Sequence, residues 1–150
     1  FMISPVRQAA VADAEELIAI DAAASAFPQN AQRLRRACAG DPGEQVWLVR
    51  EGGATVGFVV FSQALDEGSI HNIAVHPHYR RRGLGALLLT TALARLHVMG
   101  SRRCLLEVRA SNKAAQSLYL GQGFAIDGTR KQYYPAQGGR EDAILMSREL

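Results

Sequence analysis

Apolar and polar residues recur with two different periodicities along the chain, and these periodicities predict its secondary structure. Segment 84–99 carries apolar residues at helical spacing and stops at Gly100, which is typical of a helix with a glycine end signal. The apolar face expected to be buried carries Leu84, Leu87, Leu88, Ala92, Leu96 and Met99. Segments 46–50 and 55–61 are rich in β-branched and aromatic residues, and the Glu-Gly-Gly between them indicates a hairpin.

The same criteria assign the rest of the chain. Helices are predicted over 11–24, 28–39, 84–99 and 112–120, and the second should end at the Gly-Asp-Pro-Gly of 40–43. Strands are predicted over 3–7, 46–50, 55–61, 69–75, 104–109, 124–130 and 143–148. Because strands and helices interleave without strict alternation, we expect a mixed α/β sheet covered by helices on both faces.

Length and composition favour one soluble domain. The 150 residues are 48% hydrophobic and 21% charged, enough for one core, so we expect residues 2–150 to form a single domain. Phe1 lies ahead of Met2, and we expect it to be a residue left from expression. No apolar run reaches the length of a membrane span and no signal-peptide pattern opens the chain, which predicts a cytoplasmic protein without a membrane partner. Cys38 and Cys104 match no metal spacing and are expected to be reduced thiols.

The net charge of the chain excludes few classes of function. A formal net charge of +3 leans toward an anionic partner without naming one. Arg33, Arg35 and Arg36 lack neighbouring aromatic residues for base stacking, so they are better explained as a solvated helix face than as a nucleic-acid patch. The four histidines lack companion ligands, and we predict no metal.

The stretch RRRGLGA, residues 80–86, places three cations before two glycines at the start of a predicted helix. It fits neither a Walker A loop nor the dinucleotide-binding glycine pattern. Backbone N–H groups freed of side chains, the helix dipole and the arginines together suit a pyrophosphate. A turn glycine beside a solvated arginine run explains the same residues equally well.

The flanking sequence resembles a known family. HNIAVHPHYRRRGLGALLL is similar to the acetyl-coenzyme A loop of the GNAT superfamily, and LLEVRASNKAAQSLYLGQGF to its second half. With RKQYYP and EDAILM, these blocks resemble the ribosomal-protein-alanine N-acetyltransferases over about residues 70–146. The first half matches more weakly, chiefly at Ala26-Phe27-Pro28.

The resemblance implies a GNAT-like, mostly antiparallel sheet of about six to seven strands and acetyl-coenzyme A as co-substrate. The backbone of Ile73, Ala74 and Val75 would pair with the pantetheine arm. The implied residues around the rest of the cofactor are Arg81, Arg82, Gly83, Leu84, Gly85, Ala86, Asn112 and Tyr119. Asn112 would also serve as a helix N-cap.

The resemblance also implies catalytic roles for Glu107 as general base and Tyr119 as general acid. Strand alternation places Glu107 on one face with Leu105 and Arg109. From the residues alone, a solvated strand residue paired with Arg109 explains Glu107 better than a general base does, and Tyr119 could be a core aromatic.

For the acceptor, the resemblance implies Phe27, Tyr133 and Tyr134, although the tyrosines could simply pack at a strand end. The chain departs from the family pattern around this region, at Asp21, Gln29 and Gln132.

Three functions follow. The first is transfer of acetyl to the N-terminal alanine of a ribosomal protein, with no direct contact to nucleic acid and an undetermined oligomeric state. The second keeps fold and cofactor but changes the acceptor to other protein N-termini, a lysine or a small amine. The third is a regulatory module that binds coenzyme A without turnover, and the presence of both Glu107 and Tyr119 argues against it.

Overall fold

The computed structural model describes residues 2–40 and 43–150, so Phe1, Asp41 and Pro42 lie outside the described residues. The helices are α1 (Ala14–Ala24), α2 (Ala31–Cys38), α3 (Leu84–Val98) and α4 (Lys113–Gly121), with short 3-10 turns at Val11–Asp13 and Pro77–Tyr79. The strands are β1 (Arg7–Gln8), β2 (Gln45–Glu51), β3 (Ala54–Ala64), β4 (Glu67–Val75), β5 (Arg103–Arg109), β6 (Ala125–Ala136) and β7 (Gly139–Glu149).

The strands form one seven-stranded sheet in the order β1-β2-β3-β4-β5-β7-β6. Every neighbouring pair is antiparallel except β4 and β5, which run parallel. That parallel pairing covers only Glu67–Ile70 against Arg103–Leu106. The expected mixed, mostly antiparallel sheet is confirmed.

Helices cover both faces of the sheet. On one face, α1 and α2 bury Leu17 and Leu34 against Phe58 of β3. On the other face, α3 and α4 pack on a larger cluster that includes Phe61 of β3 and Leu106 of β5. Removing side chains of this size from water is the main force that holds helices to a sheet.

Two predicted boundaries at the N-terminal end were wrong. The strand predicted over 3–7 is reduced to β1, with only an isolated bridge from Ile3 to Glu51. Helix α2 begins at Ala31 because Asn30 caps it, its side chain accepting from the Gln32 and Arg33 N–H groups at 2.8 and 3.3 Å. Residue 28 therefore precedes the helix.

Both cysteines, Cys38 and Cys104, are free and buried. Every helix in the described ranges falls short of the length and apolar character that crossing a bilayer requires.

Candidate functional site

A cleft opens where β4 and β5 separate. Their pairing ends at Ile70 and Leu106, so Ile73, Ala74 and Val75 bond only to β3 on their other side. Their free edge forms one wall of a cavity of about 780 Å³. Unpaired backbone groups on such an edge are available to an extended ligand.

The loop before α3 forms a second wall of this cavity. Gly83, the N-cap of α3, has φ 77°, a left-handed conformation that favours glycine, and Arg81 has φ 64°. The N–H groups of Leu84, Gly85 and Ala86 lie in the first turn, and the first helical bond runs from Leu87 N–H to the Gly83 carbonyl at 3.0 Å. This end of α3 is an anion cradle built from free N–H groups and the helix dipole.

The three arginines of the loop differ in placement. Arg80 and Arg81 line the cavity, and Arg80 donates to the Ala24 carbonyl at 3.0 Å. Arg82 points elsewhere: both Glu51 carboxylate oxygens accept from its Nη1 at 2.8 Å, and its guanidinium lies 5.1 Å from the Tyr79 ring. Of the predicted cofactor residues, Arg82 and Ala86 do not line the cavity.

Helix α4 provides the opposite wall. The Asn112 side chain caps it by accepting from the Ala115 N–H at 3.1 Å, and it also lines the cavity. Tyr119 is 7% exposed, and its ring packs 5.7 Å from the ring of Phe124. It is therefore both a core aromatic and a cavity residue.

The Tyr119 hydroxyl has no hydrogen-bond partner in the described part of the chain, yet it is not sealed from solvent. Burial, more than any neighbouring charge, raises the pKa of this phenol above its ordinary value. A raised pKa means that Tyr119 stays protonated throughout the neutral and mildly alkaline range.

Glu107 lies in a second cavity of about 630 Å³, together with Tyr133 and Tyr134. Its carboxylate is 3.5 Å from the guanidinium of Arg130, and its side chain is 32% exposed. The pairing with Arg109 considered from the sequence does not form, because Arg109 pairs with Glu141 at 3.3 Å. Burial, and then the charge of Glu107, raises the pKa of Tyr134.

The predicted residues thus divide between two cavities. The first cavity is lined by Phe27, Tyr119 and all of the predicted cofactor residues except Arg82 and Ala86. The second cavity is lined by Glu107, Tyr133 and Tyr134. Glu107 projects from β5 on the face opposite Val108, which packs in the cluster that contains Tyr119. The gap between the separated ends of β4 and β5 is the opening between these two faces of the sheet.

Arg109 connects the cavities and was not predicted as a site residue. It lines the first cavity, and its guanidinium carbon lies 3.7 Å from the ring centre of Phe27 and 4.5 Å from that of Tyr134. The available signal was strand alternation, which puts Arg109 on the same face as Glu107.

A buried polar network, also missed, borders the first cavity. Asp21 is almost fully buried and accepts from the Gln29 N–H at 2.7 Å and from the Asn72 side chain at 3.1 Å. Two of the three departures from the family pattern, Asp21 and Gln29, therefore contact each other directly.

The remaining charged groups have ordinary surroundings. Arg33 pairs with Glu44 at 2.6 Å and Arg35 with Glu15 at 2.8 Å, as expected of a solvated helix face. Across residues 2–40 and 43–150, no three His, Cys, Asp or Glu side chains come together as metal ligands would.

Comparisons with known proteins agree with this geometry. Residues 12–124 match the Acetyltransferase (GNAT) family. The chain is 39% identical over 130 residues to [Ribosomal protein bS18]-alanine N-acetyltransferase of Escherichia coli strain K12, covering 85% of each chain. The crystal structure of the ribosomal-protein-S18-alanine N-acetyltransferase from Escherichia coli superposes with a TM-score of 0.89 at 34% identity, covering 99% of this chain and 94% of that one. The fold is shared with yncA of Salmonella typhimurium, a structure with its cofactor acetyl-CoA, at a TM-score of 0.82 and 21% identity over 99% and 94% of the chains. The chain therefore belongs to the Acetyltransferase (GNAT) family.

Proposed function

We propose that this protein transfers an acetyl group from acetyl-coenzyme A to the N-terminal α-amino group of a protein, with the N-terminal alanine of ribosomal protein bS18 as its acceptor. The observation that carries the proposal is the 39% identity to the E. coli enzyme named for that reaction, over most of both chains. The cleft between β4 and β5 supports it, because an anion cradle lies on one side and a carboxylate on the other.

The first cavity fits coenzyme A. The free edge of β4 at Ile73, Ala74 and Val75 would bond an amide-containing arm as an added strand would. The first turn of α3, with Arg81 beside it, would hold a pyrophosphate. When bound there, acetyl-coenzyme A supplies the acetyl thioester.

Glu107 would remove a proton from the acceptor amine. A protein α-amino group has a reference pKa of about 7.7–8.0, so most of it is protonated at neutral pH and cannot attack. The second cavity gives Glu107 access to an amine that enters from the face opposite the cofactor loop. A carboxylate that accepts the proton directly or through one water restores the lone pair.

Tyr119 would return a proton to the departing thiolate of coenzyme A. Its raised pKa keeps the phenol protonated, its hydroxyl is free of protein partners, and it lines the cofactor cavity. Phe27, Tyr133 and Tyr134 would form the walls around the acceptor, since Arg109 already joins Phe27 to Tyr134.

Peptide acetylation tests the acceptor. The purified protein should acetylate a peptide with the N-terminal sequence of bS18 far faster than matched peptides that begin with Lys, Leu or Asp. Mass spectrometry after incubation with acetyl-coenzyme A locates the added group on the α-amino nitrogen. Acetylation of an internal lysine or of a small amine at a comparable rate would contradict the proposed acceptor, and no turnover of any acceptor would contradict the enzymatic role.

Coenzyme A affinity should depend on the space above Gly85 more than on a single arginine. A Cβ at Gly85 would meet Leu118 at 3.4 Å, so Gly85→Val fills the mouth of the cradle and should weaken binding by about tenfold or more. Arg80→Ala should cost no more than about fivefold, since exposed charge pairs contribute little. Titration calorimetry gives both dissociation constants.

Gly128→Val is the matched control for that substitution. Gly128 lies in β6, and a Cβ there meets nothing within 4 Å. Coenzyme A affinity should stay at the wild-type value in this variant. Equal losses of coenzyme A affinity in Gly85→Val and Arg80→Ala, or no loss in either, would show that the cradle is not part of the coenzyme A site.

A further inference from the structure

Arg109 touches aromatic rings on both sides of the cleft. It is the last residue of β5, and its guanidinium lies between the rings of Phe27 and Tyr134. Phe27 follows α1, whereas Tyr134 belongs to β6. A planar guanidinium between two aromatic faces is held in one orientation by cation–π attraction and stacking.

Hydrogen bonds fix the guanidinium in its own plane as well. Nη1 donates to the Pro135 carbonyl at 2.7 Å and to Glu141 Oε2 at 3.3 Å. Glu141 is in turn fixed by accepting from the Ser111 N–H at 3.0 Å. These contacts use both protons of Nη1, and the side chain is only 19% exposed.

The N–H groups on the other two nitrogens of Arg109, Nε and Nη2, remain free to donate. Neither Nε nor Nη2 has an acceptor within residues 2–40 and 43–150, and Arg109 lines the first cavity. Neither nitrogen is sealed from solvent. A rigid charged donor beside a ligand cavity is suited to a carbonyl oxygen, and such charge-assisted bonds are stronger than neutral ones.

The surroundings of Arg109 indicate the acceptor rather than the cofactor as its ligand. Arg109 and Glu107 project from the same face of β5, and residues two apart on a strand are about 6.7 Å apart. Tyr134, which stacks on Arg109, shares the second cavity with Glu107. In a peptide, only the Cα and the carbonyl carbon lie between the α-amino nitrogen and the first carbonyl oxygen.

We propose that Arg109 is an acceptor-binding residue that donates to the carbonyl oxygen of the acceptor's first peptide bond while Glu107 faces its α-amino group. This inference rests on the proposed function, and it narrows the substrate class. The acceptor must carry an amide next to its amine, which selects protein N-termini over lysine side chains and simple amines.

Steady-state kinetics with a modified acceptor tests the contact. The acceptors are a short alanine-first peptide and the same peptide with its first amide converted to a thioamide, because sulfur is a weaker hydrogen-bond acceptor. The enzymes are wild type, Arg109→Gln, Arg109→Lys and Arg103→Gln. Arg103 lies on the same strand and face as Arg109 but contacts Ser147 and Glu67, so it is the matched control.

In Arg109→Gln, KM for the normal peptide should rise by about 10- to 100-fold, the effect of losing a charge-assisted hydrogen bond. KM for acetyl-coenzyme A should change by less than about twofold, and Arg109→Lys should not restore the affinity, because an ammonium lacks the stacked planar fork. The thioamide should raise KM in wild type and in Arg103→Gln, and should add no further penalty in Arg109→Gln.

An equal thioamide penalty in wild type and Arg109→Gln, or a rise confined to KM for acetyl-coenzyme A, overturns the inference and leaves the proposed function standing. Wild-type enzyme that ignores the alanine peptide overturns both. If thermal melting shows that Arg109→Gln does not fold, the kinetics of Arg109→Lys and the effect of the thioamide on wild-type KM decide the question. A wild-type KM that does not rise with the thioamide peptide then overturns the proposed contact.

Discussion

Replacing Tyr119 by Phe is expected to lower kcat by about two to four orders of magnitude, the range for one general acid. The substitution removes only the hydroxyl, which has no hydrogen-bond partner in the described residues, and Tyr119 lines the cavity proposed for coenzyme A. The ring and its contact with Phe124 remain, so the melting temperature and coenzyme A affinity should stay close to wild type. Fixed-time assays of peptide acetylation at saturating substrate measure kcat.

The pH dependence of wild type gives a second check on Tyr119. Because burial raises its pKa, the proton that Tyr119 would donate remains available as pH rises, and kcat should not fall up to about pH 9.5. Wild-type turnover in Tyr119→Phe would make the residue a packing aromatic and leave the proton to water.

Glu107→Gln is expected to lower kcat at neutral pH by about two to four orders of magnitude, again with little change in coenzyme A affinity. The value of kcat/KM for the acceptor that remains in this variant depends on the fraction of acceptor amine already deprotonated in solution. That fraction rises through the amine pKa of about 7.7–8.0, so the gap between variant and wild type should narrow from pH 6.5 to about pH 9. Rate profiles over this range measure the narrowing.

Two control variants separate chemistry from structure at Glu107. Arg130→Gln breaks the same ion pair from its other side, and such partly exposed pairs contribute about 0–1 kcal/mol to stability. Glu67→Gln removes an exposed carboxylate on β4 that pairs loosely with Arg103. Both should keep wild-type melting temperatures, and a rate for Glu107→Gln equal to that of Glu67→Gln would return Glu107 to a surface role.

The element types could be predicted from sequence because their signals are local. Helices α2 and α3 end within two residues of Gly40 and Gly100, and the predicted hairpin turns at Gly52 and Gly53 between β2 and β3. Helix α3 shows where local signals fail: Leu87, expected on its buried face, is 38% exposed, whereas Leu89 and Leu93 are buried. The first part of α3, residues 84–89, is apolar on all sides and does not reveal which side meets the sheet, since tertiary packing selects it.

The site was only partly predictable, for a related reason. The glycine loop before α3 consists of consecutive residues and could be recognised in the sequence, and the structure places it in the same cavity as the free edge of β4. The register shift between Arg130 and Tyr134 does not follow from local sequence, because Gln132 adopts φ 49° without the usual glycine or asparagine. The contacts of Arg109 are equally non-local, joining β5 to residues 82 positions before it and 25 after it.

The short parallel junction between β4 and β5 has a consequence for cooperativity. Strands β1–β4 and β5–β7 form two antiparallel blocks, and only four residue pairs join them across the sheet. Amide protons on the free edge of β4 should therefore exchange with solvent faster than those inside either block. A ligand laid along that edge supplies the missing backbone partners, so binding would lock the two blocks into one unfolding unit.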